Sequence, residues 1–309
     1  KEDAAYRCGE CKDEYRDALS IVLLSARLQA ERTDGQSIVF TLDRLAKELH
    51  DQGKFNEAEP LLREALGVSR ETLGSRHQNT LGSINNLGSL LQAKGDLAAA
   101  EPLLREAMEV QRETLGDRHP GTLASINNLG MLLHDKGDLV AAEPLFRQAL
   151  ETTRETLGSR NQYTLKSISN LGLLLYAKGD LAAAEPLYRE ALEVQRATLG
   201  NRHPDTLISV NNLGTLLRAK GDLAAAEPLS REALEGRRET LGNRHPSTLT
   251  SIGSLGLVLK AKGDLAAAEP LLREALEGIR ETLGDRHPDT LTAVTNLGAL
   301  GGKGRPRRR

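Results

Sequence analysis

The sequence predicts an all-α fold, an α-solenoid in which antiparallel helix pairs stack into a right-handed superhelix. Three observations carry that expectation. The pair Leu-Gly recurs at Leu73-Gly74, Leu115-Gly116, Leu157-Gly158, Leu199-Gly200, Leu241-Gly242 and Leu283-Gly284, each 42 residues after the last. A sustained period of this length marks stacked supersecondary units. The string AKGDLAAAEPL stands verbatim from Ala93, Ala177, Ala219 and Ala261. Leu, Ala, Glu and Arg, all good helix formers, dominate the composition. Aromatic residues are only 3% and Trp is absent, so the core must come from Leu, Ala and Ile.

The copy from Thr80 to Gly116 illustrates the unit. A first helix, helix A, is predicted from about Thr80 to Lys94, with the apolar stripe Leu81, Ile84, Leu87 and Leu91 at helical spacing. Gly88 beside Leu87 lets a partner helix come close. Gly95 stops helix A because glycine takes positive φ without strain. Asp96 follows as N-cap of helix B, its carboxylate accepting free backbone N–H groups. Helix B is predicted to run to about Thr114 with the stripe Leu97, Ala100, Leu104, Ala107 and Met108. Gly116 ends it, and Arg118-His119-Pro120 turns the chain into the next helix A, Pro being well placed near a helix start. Pro102, matched by Pro60, Pro144, Pro186, Pro228 and Pro270, interrupts the helix B hydrogen-bond ladder and is expected to bend helix B around helix A.

One such pair cannot bury its stripe alone, whereas stacked copies can. Six full units are read at 37–74, 80–116, 122–158, 164–200, 206–242 and 248–284, with a final helix A from about Asp289 to Leu300. The expected organisation is a flank over 1–36, an array over 37–300 and a basic disordered tail over 301–309. The flank is expected to hold one capping helix, Asp13 to Arg32, with Leu19, Leu23 and Ala26 on one face.

Several function classes lose ground on composition. The formal net charge of −2 gives no general attraction to nucleic acid or anionic lipid. The longest apolar run, Ile21-Val22-Leu23-Leu24, is far short of a membrane span. No secretory signal is readable, and two cysteines are no disulfide framework, so a cytoplasmic location is expected. Cys8-Gly-Glu-Cys11 lacks the second ligand pair of a zinc site. The recurring His77, His119, His203, His245 and His287 are read as loop residues, because adjacent helices stack about 8–10 Å apart and metal ligands lie about 2 Å from their ion. No phosphate-binding G-x-x-x-x-G-K-[ST] is present. No nucleophile or base stands outside the repeated scaffold, so neither an enzyme nor a cofactor is expected.

The pattern Ile84-x2-Leu87-Gly88-x2-Leu91, followed by Ala100-x3-Leu104, resembles the tetratricopeptide repeat. The 42-residue unit, with Asn-Asn-Leu in helix A and Ala-Glu-Pro-Leu in helix B, is most similar to the repeats of kinesin light chain and nephrocystin-type proteins. The resemblance covers roughly residues 37–300. It implies a protein or peptide ligand in a concave groove lined by helix A, and by analogy a cargo adaptor with kinesin heavy chain as a partner. No sustained heptad of the kind that docks the motor chain is visible in residues 1–35.

The copies can be compared with one another. The core stripe barely changes, while four helix A positions do. They are Gly82, Ala124, Lys166, Ile208, Thr250; then Asn85, Asn127, Ser169, Asn211, Gly253; then Ser89, Met131, Leu173, Thr215, Leu257; then Gln92, His134, Tyr176, Arg218, Lys260. Their offsets place them on one helical face, away from the core. A constant scaffold with a varied face suits a binder. The expected groove residues are Asn85, Ser89, Gln92, Asn127, Met131, His134, Lys166, Leu173, Tyr176, Ile208, Asn211, Thr215, Arg218 and Lys260. By resemblance, Asn85, Asn127 and Asn211 read the backbone of an extended peptide, while Asn86, Asn128, Asn170 and Asn212 tie neighbouring repeats. Lys166, Arg218 and Lys260 favour an acidic ligand segment. The competing expectation is a sensor or self-association array within a larger, nucleotide-binding regulatory protein.

Overall fold

The computed structural model describes residues 35–285 and 288–300. Thirteen α-helices and no strand occupy these described residues. They fall into two compact units, Lys1–Gly158 and Ser159–Arg309. The first holds α1 (Gly35–Asp51), α2 (Phe55–Leu73), α3 (Gln78–Ala93), α4 (Leu97–Leu115), α5 (Pro120–Asp135) and α6 (Leu139–Leu157). The second holds α7 (Gln162–Ala177), α8 (Leu181–Leu199), α9 (Pro204–Lys220), α10 (Leu223–Leu241), α11 (Pro246–Lys262), α12 (Leu265–Leu283) and α13 (Pro288–Gly298). Odd-numbered helices are helix A and even-numbered ones helix B. Within each unit every helix packs on its neighbours in sequence, the connectivity of an α-solenoid. The capping helix expected at Asp13 to Arg32, Cys8 and Cys11, His287 and the tail lie outside the described residues.

The two stripes meet as expected. Leu81, Ile84, Leu87 and Leu91 of α3 and Ala100, Leu104, Ala107 and Met108 of α4 are buried, whereas Leu97, at the first turn of α4, is only half-buried. The glycine of helix A is a seat for one helix B side chain. A Cβ built on Gly88 would lie 2.6 Å from Leu104 Cδ2, and one on Gly130 would lie 2.6 Å from Phe146 Cε1. In the second unit, a Cβ on Gly172 would lie 2.7 Å from Tyr188 Cε1.

Helix A ends at Gly95 with φ +84°. Asp96 N–H donates to Leu91 O and Gly95 N–H to Gln92 O, both at 2.9 Å, the paired bonds of a left-handed glycine cap. The Asp96 carboxylate accepts from Ala99 N–H at 3.1 Å. Asp138, Asp180, Asp222 and Asp264 repeat that bond. Asp96→Ala is therefore expected to cost about 1 kcal/mol, read as a shifted midpoint in chemical unfolding with an unchanged slope. Helix B continues unbroken through Pro102, which stands on the exposed side.

The recurring histidines cap helix A. His119 Nδ1 accepts from Gly121 N–H at 3.0 Å, and His77, His203 and His245 do the same. Asn161 fills the position in α7, its Oδ1 accepting from Tyr163 N–H. An imidazole can accept at Nδ1 only when that nitrogen carries no proton. Burial first, and the Arg237 charge second, hold His245 below the usual imidazole range. Its folded value is thus depressed, so the unfolded chain binds more protons in the intervening window. The stability it contributes is present above about pH 6.5 and is lost as pH falls through the folded value. His245→Asn should flatten the melting temperature against pH at this step, as Asn161 performs the same capping without titrating. An undiminished slope would remove His245 as its source.

Candidate functional site

The four varied positions line the face of helix A away from its paired helix B. Ala124, Lys166, Ile208 and Thr250 are exposed, whereas Ser89, Met131, Leu173, Thr215, Gln92, His134, Tyr176, Arg218 and Lys260 are half-buried. In the first unit, α1 lies beside α3 and α3 beside α5, and in the second α9 lies beside α11. Each unit therefore presents its own share of the face. The first holds Asn85, Ser89, Gln92, Asn127, Met131 and His134. The second holds Lys166, Leu173, Tyr176, Ile208, Asn211, Thr215, Arg218 and Lys260.

The asparagine ladder differs from the expectation. Asn85 Nδ2 donates to Leu81 O at 3.1 Å and to Ser125 Oγ at 2.7 Å. Asn128 Nδ2 reaches Asn85 Oδ1 at 3.4 Å. The first asparagine, together with the second, thus ties α3 to α5, a role expected of the second alone. Asn127 is buried and its Nδ2 donates to Leu123 O at 3.0 Å. Asn211 Oδ1 is sealed from solvent and accepts no hydrogen bond in the structure. The cause is position. These side chains lie low on the face, toward the seam between successive helices, where a short amide meets backbone and the next copy before it meets a ligand. The half-buried and exposed residues at the other three offsets remain accessible.

Charge separates the two units. In the first, Gln92 Nε2 donates to Asp135 Oδ2 at 2.6 Å, and His134 Nδ1 lies 3.0 Å from Asp135 Oδ1. Asp43 of α1 stands one period before Asn85. Burial raises its carboxyl above the usual range, against the lowering effect of a hydrogen bond from Asn86. In the second, Lys166 and Arg218 have no carboxylate partner among the described residues, and Lys260 Nζ meets only Asn296 O at 3.5 Å.

The cations of the helix B face are in a different state. Glu101 pairs with Arg105 on its own helix and with Lys136 of the next copy. Glu59 does the same with Arg63 and Lys94, and Glu227 with Arg231 and Lys262. The Lys136 hydrogen bond first and the Arg105 hydrogen bond second hold the Glu101 carboxyl below the usual range. Further rows join Arg70 to Glu106 and Arg76 to Glu113 in the first unit, and Arg196 to Glu232 and Arg202 to Glu239 in the second. Each such pair is worth only a few tenths to about 1 kcal/mol, but the rows explain why helix B keeps Arg105, Arg147, Arg189, Arg231 and Arg273. Sequence reasoning missed them. The signal was there: Lys94 lies 35 residues beyond Glu59, as Lys136 does beyond Glu101, one period less two helical turns.

A cleft of about 690 Å³ lies in the second unit among Arg238, Arg244, Arg273, Glu269, Glu274 and Glu277. Its arginines are already matched, Arg238 to Glu274, Arg273 to Glu269 and Arg244 to Glu281. Smaller hollows lie on the helix A face. One sits beside Phe40, Asp43, Asn86 and Ser89 in the first unit, another beside Thr250, Gly253, Leu257 and Asn296 in the second.

Comparison with known proteins decides the family. Tetratricopeptide repeat signatures match residues 41–79, 80–155, 163–239, 207–281 and 247–307. The chain belongs to the tetratricopeptide repeat family. Tetratricopeptide arrays are generally non-catalytic scaffolds for protein–protein interaction, their stacked repeats offering extended binding surfaces. Among solved structures, a Podosopora anserina protein named for kinesin light chain, with nearly identical TPR-like repeats, is 28% identical at a TM-score of 0.57, covering 67% of this chain and 97% of that one. BtubC (BKLC) from P. vanneervenii is 23% identical at a TM-score of 0.57, covering 84% of this chain and 95% of that one. A Rap protein complexed with Competence and Sporulation Factor is 12% identical at a TM-score of 0.65, covering 91% of this chain and 78% of that one. The last two show the fold alone. A search of curated proteins finds no significant match. No helix among the described residues is long and apolar enough to cross a membrane.

Proposed function

We propose that this tetratricopeptide chain is a non-catalytic cytoplasmic scaffold whose helix A face binds an extended, acidic segment of a partner protein, as a kinesin-light-chain-like adaptor binds cargo. The observation that carries the reading is the unequal treatment of positive charge. Arg189 and Arg231 on helix B are matched by Glu185 and Glu227. Lys166 and Arg218 on helix A have no carboxylate partner among the described residues. Unmatched cations beside the half-buried Leu173 and Tyr176 and the exposed Ile208 suit a ligand with carboxylates flanking one or two apolar anchors. Thr215 and Lys260 extend this face in the second unit, and the first unit carries a face of its own at Ser89, Gln92, Met131 and His134. The asparagines enter as struts that hold the face.

An arrayed set of 15-residue peptides of graded charge, each with and without a central Leu or Phe, tests the reading. Acidic peptides carrying the anchor should be retained best, and Leu173→Ser with Tyr176→Ser should abolish the preference for the anchor. Retention of basic peptides, or retention indifferent to both variants, contradicts it.

A further inference from the structure

In the first unit three polar side chains lock one copy to the next. Asn85 Nδ2 of α3 donates to Ser125 Oγ of α5 at 2.7 Å, and Ser125 Oγ donates to Gln111 Oε1 of α4 at 2.5 Å. In α11, α12 and α13 the equivalent positions hold Gly253, Ile279 and Ala293, whereas in every other copy all three are polar. The coordinated change leaves a hollow of about 220 Å³ on the helix A face, floored by Leu272, Ala275 and Ile279 and bordered by Thr250, Leu257 and Asn296. A Cβ built on Gly253 would have only Ala275 Cβ within 4 Å, at 3.8 Å. Ala293 faces the preceding copy, as Ser125 does, so the walls of the hollow are α11, α12 and α13 alone. Lys260, one helical turn beyond Leu257, holds the positive end of the rim, its Nζ 3.5 Å from Asn296 O. Asp289, at the start of α13, stands at the opposite end.

We propose that this hollow seats a second apolar anchor of the ligand, one Leu or Phe side chain, with a carboxylate of the same segment about three residues away on Lys260. The inference rests on the reading of the helix A face as the ligand surface, and adds to it a place and a spacing. Size selects a single side chain, since a cavity of about 150 Å³ holds a benzene molecule and this hollow is about 220 Å³. Loss of the polar lock selects an apolar one, because the floor of Leu272, Ala275 and Ile279 offers no side-chain donor or acceptor. Charge selects the neighbour. Gly253 and Lys260 stand seven residues apart on α11. That is about 10 Å of helix, which an extended segment covers in about three residues. Asp289 disfavours a carboxylate at the other end of the hollow, so anchor and acid are read in one order.

Two blocked tetrapeptides, acetyl-Phe-Gly-Gly-Asp-amide and acetyl-Asp-Gly-Gly-Phe-amide, present the pair in either chain direction. Each is titrated against the full chain while the methyl resonances are followed by NMR. One of them should shift the Leu272 and Ile279 methyls saturably, and Ala in place of its Phe should remove the shifts. Gly253→Leu fills the hollow from within and should abolish them. That chain should fold normally, because its new Cβ starts at an ordinary contact distance and Leu favours a helix over Gly. Lys260→Gln should weaken the same binding roughly threefold or more, while Leu173→Ser with Tyr176→Ser should leave it unchanged. Absence of saturable shifts from both peptides, or shifts that survive Gly253→Leu, overturns the proposal. The 15-residue peptide array separates this failure from that of the broader reading. Array binding without the methyl shifts removes the second seat and leaves the helix A face, whereas loss of both removes the face as well.

Discussion

Phe146→Ala is expected to destabilise the first unit by about 3–5 kcal/mol, the cost of deleting a large side chain from a site that cannot collapse. Phe146 is fully buried in α6, and its ring covers Gly130 of α5 so closely that a Cβ there would fall 2.6 Å from Cε1. Removing the ring leaves a void between two helices whose backbones are held apart by other contacts, so little repacking can follow. The complementary change, Gly130→Leu, overfills the same seat and is expected to cost about 1–3 kcal/mol or more. Because repeats contact only their neighbours, the loss should be local. Hydrogen exchange should quicken in α5 and α6 before it does in α1 and α2. A Phe146→Ala chain that unfolds at the parent's denaturant midpoint would contradict the α5–α6 packing described above.

Lys166→Glu combined with Arg218→Glu is expected to weaken an acidic ligand at least tenfold, about 1.4 kcal/mol or more. Reversal replaces two attractive charges by two repulsive ones on a face where no other residue neutralises them. The effect should shrink as salt rises, since screening lengths fall from about 10 Å at 0.1 M to about 3 Å at 1 M. Helicity should be retained, because both side chains point away from the core. Arg189→Glu with Arg231→Glu is the matched control. It reverses the same number of charges on helix B, at residues paired with Glu185 and Glu227, and should change stability slightly while leaving ligand affinity near the parent's. Equal losses in the two double variants would mean that only overall charge matters.

Much of the fold is legible in the sequence because its devices are local and repeated. Gly95 and Asp96 announce the turn between α3 and α4, since a positive φ and a capping carboxylate depend on a handful of neighbouring residues. The predicted ends of helix A and helix B, Thr80 to Lys94 and about Thr114, fall within two residues of the observed Gln78–Ala93 and Leu97–Leu115. The core stripe of α3 is likewise plain from spacing. One cap escapes for a local reason: histidine is not among the preferred capping residues, so His119 looks like an idle loop residue until Nδ1 is seen to accept from Gly121 two residues on. The rest of what escapes is set by where one copy lies against the next. Asn85 looks like a free amide until Ser125, one period ahead, takes its hydrogen bond. The pairing of Lys136 with Glu101 needs the stacking geometry before a spacing in the sequence becomes a contact. The candidate face is legible as a set of varied positions, but which of them are spent on the scaffold is not. Asn127 and Met131 vary on the same face, yet one is buried and the other is half open.

The central claim is that ligands lie on the helix A face. A photo-activatable residue placed singly at Leu173, Tyr176 or Thr215, with Arg189 and Glu193 as helix B controls, reports contact directly when the chain is irradiated with a bound acidic peptide. Crosslinks should form from the first three positions and from neither control, and excess unlabelled peptide should suppress them. Crosslinks from Arg189 or Glu193 with none from Leu173, Tyr176 and Thr215 would place the ligand on helix B and contradict the account.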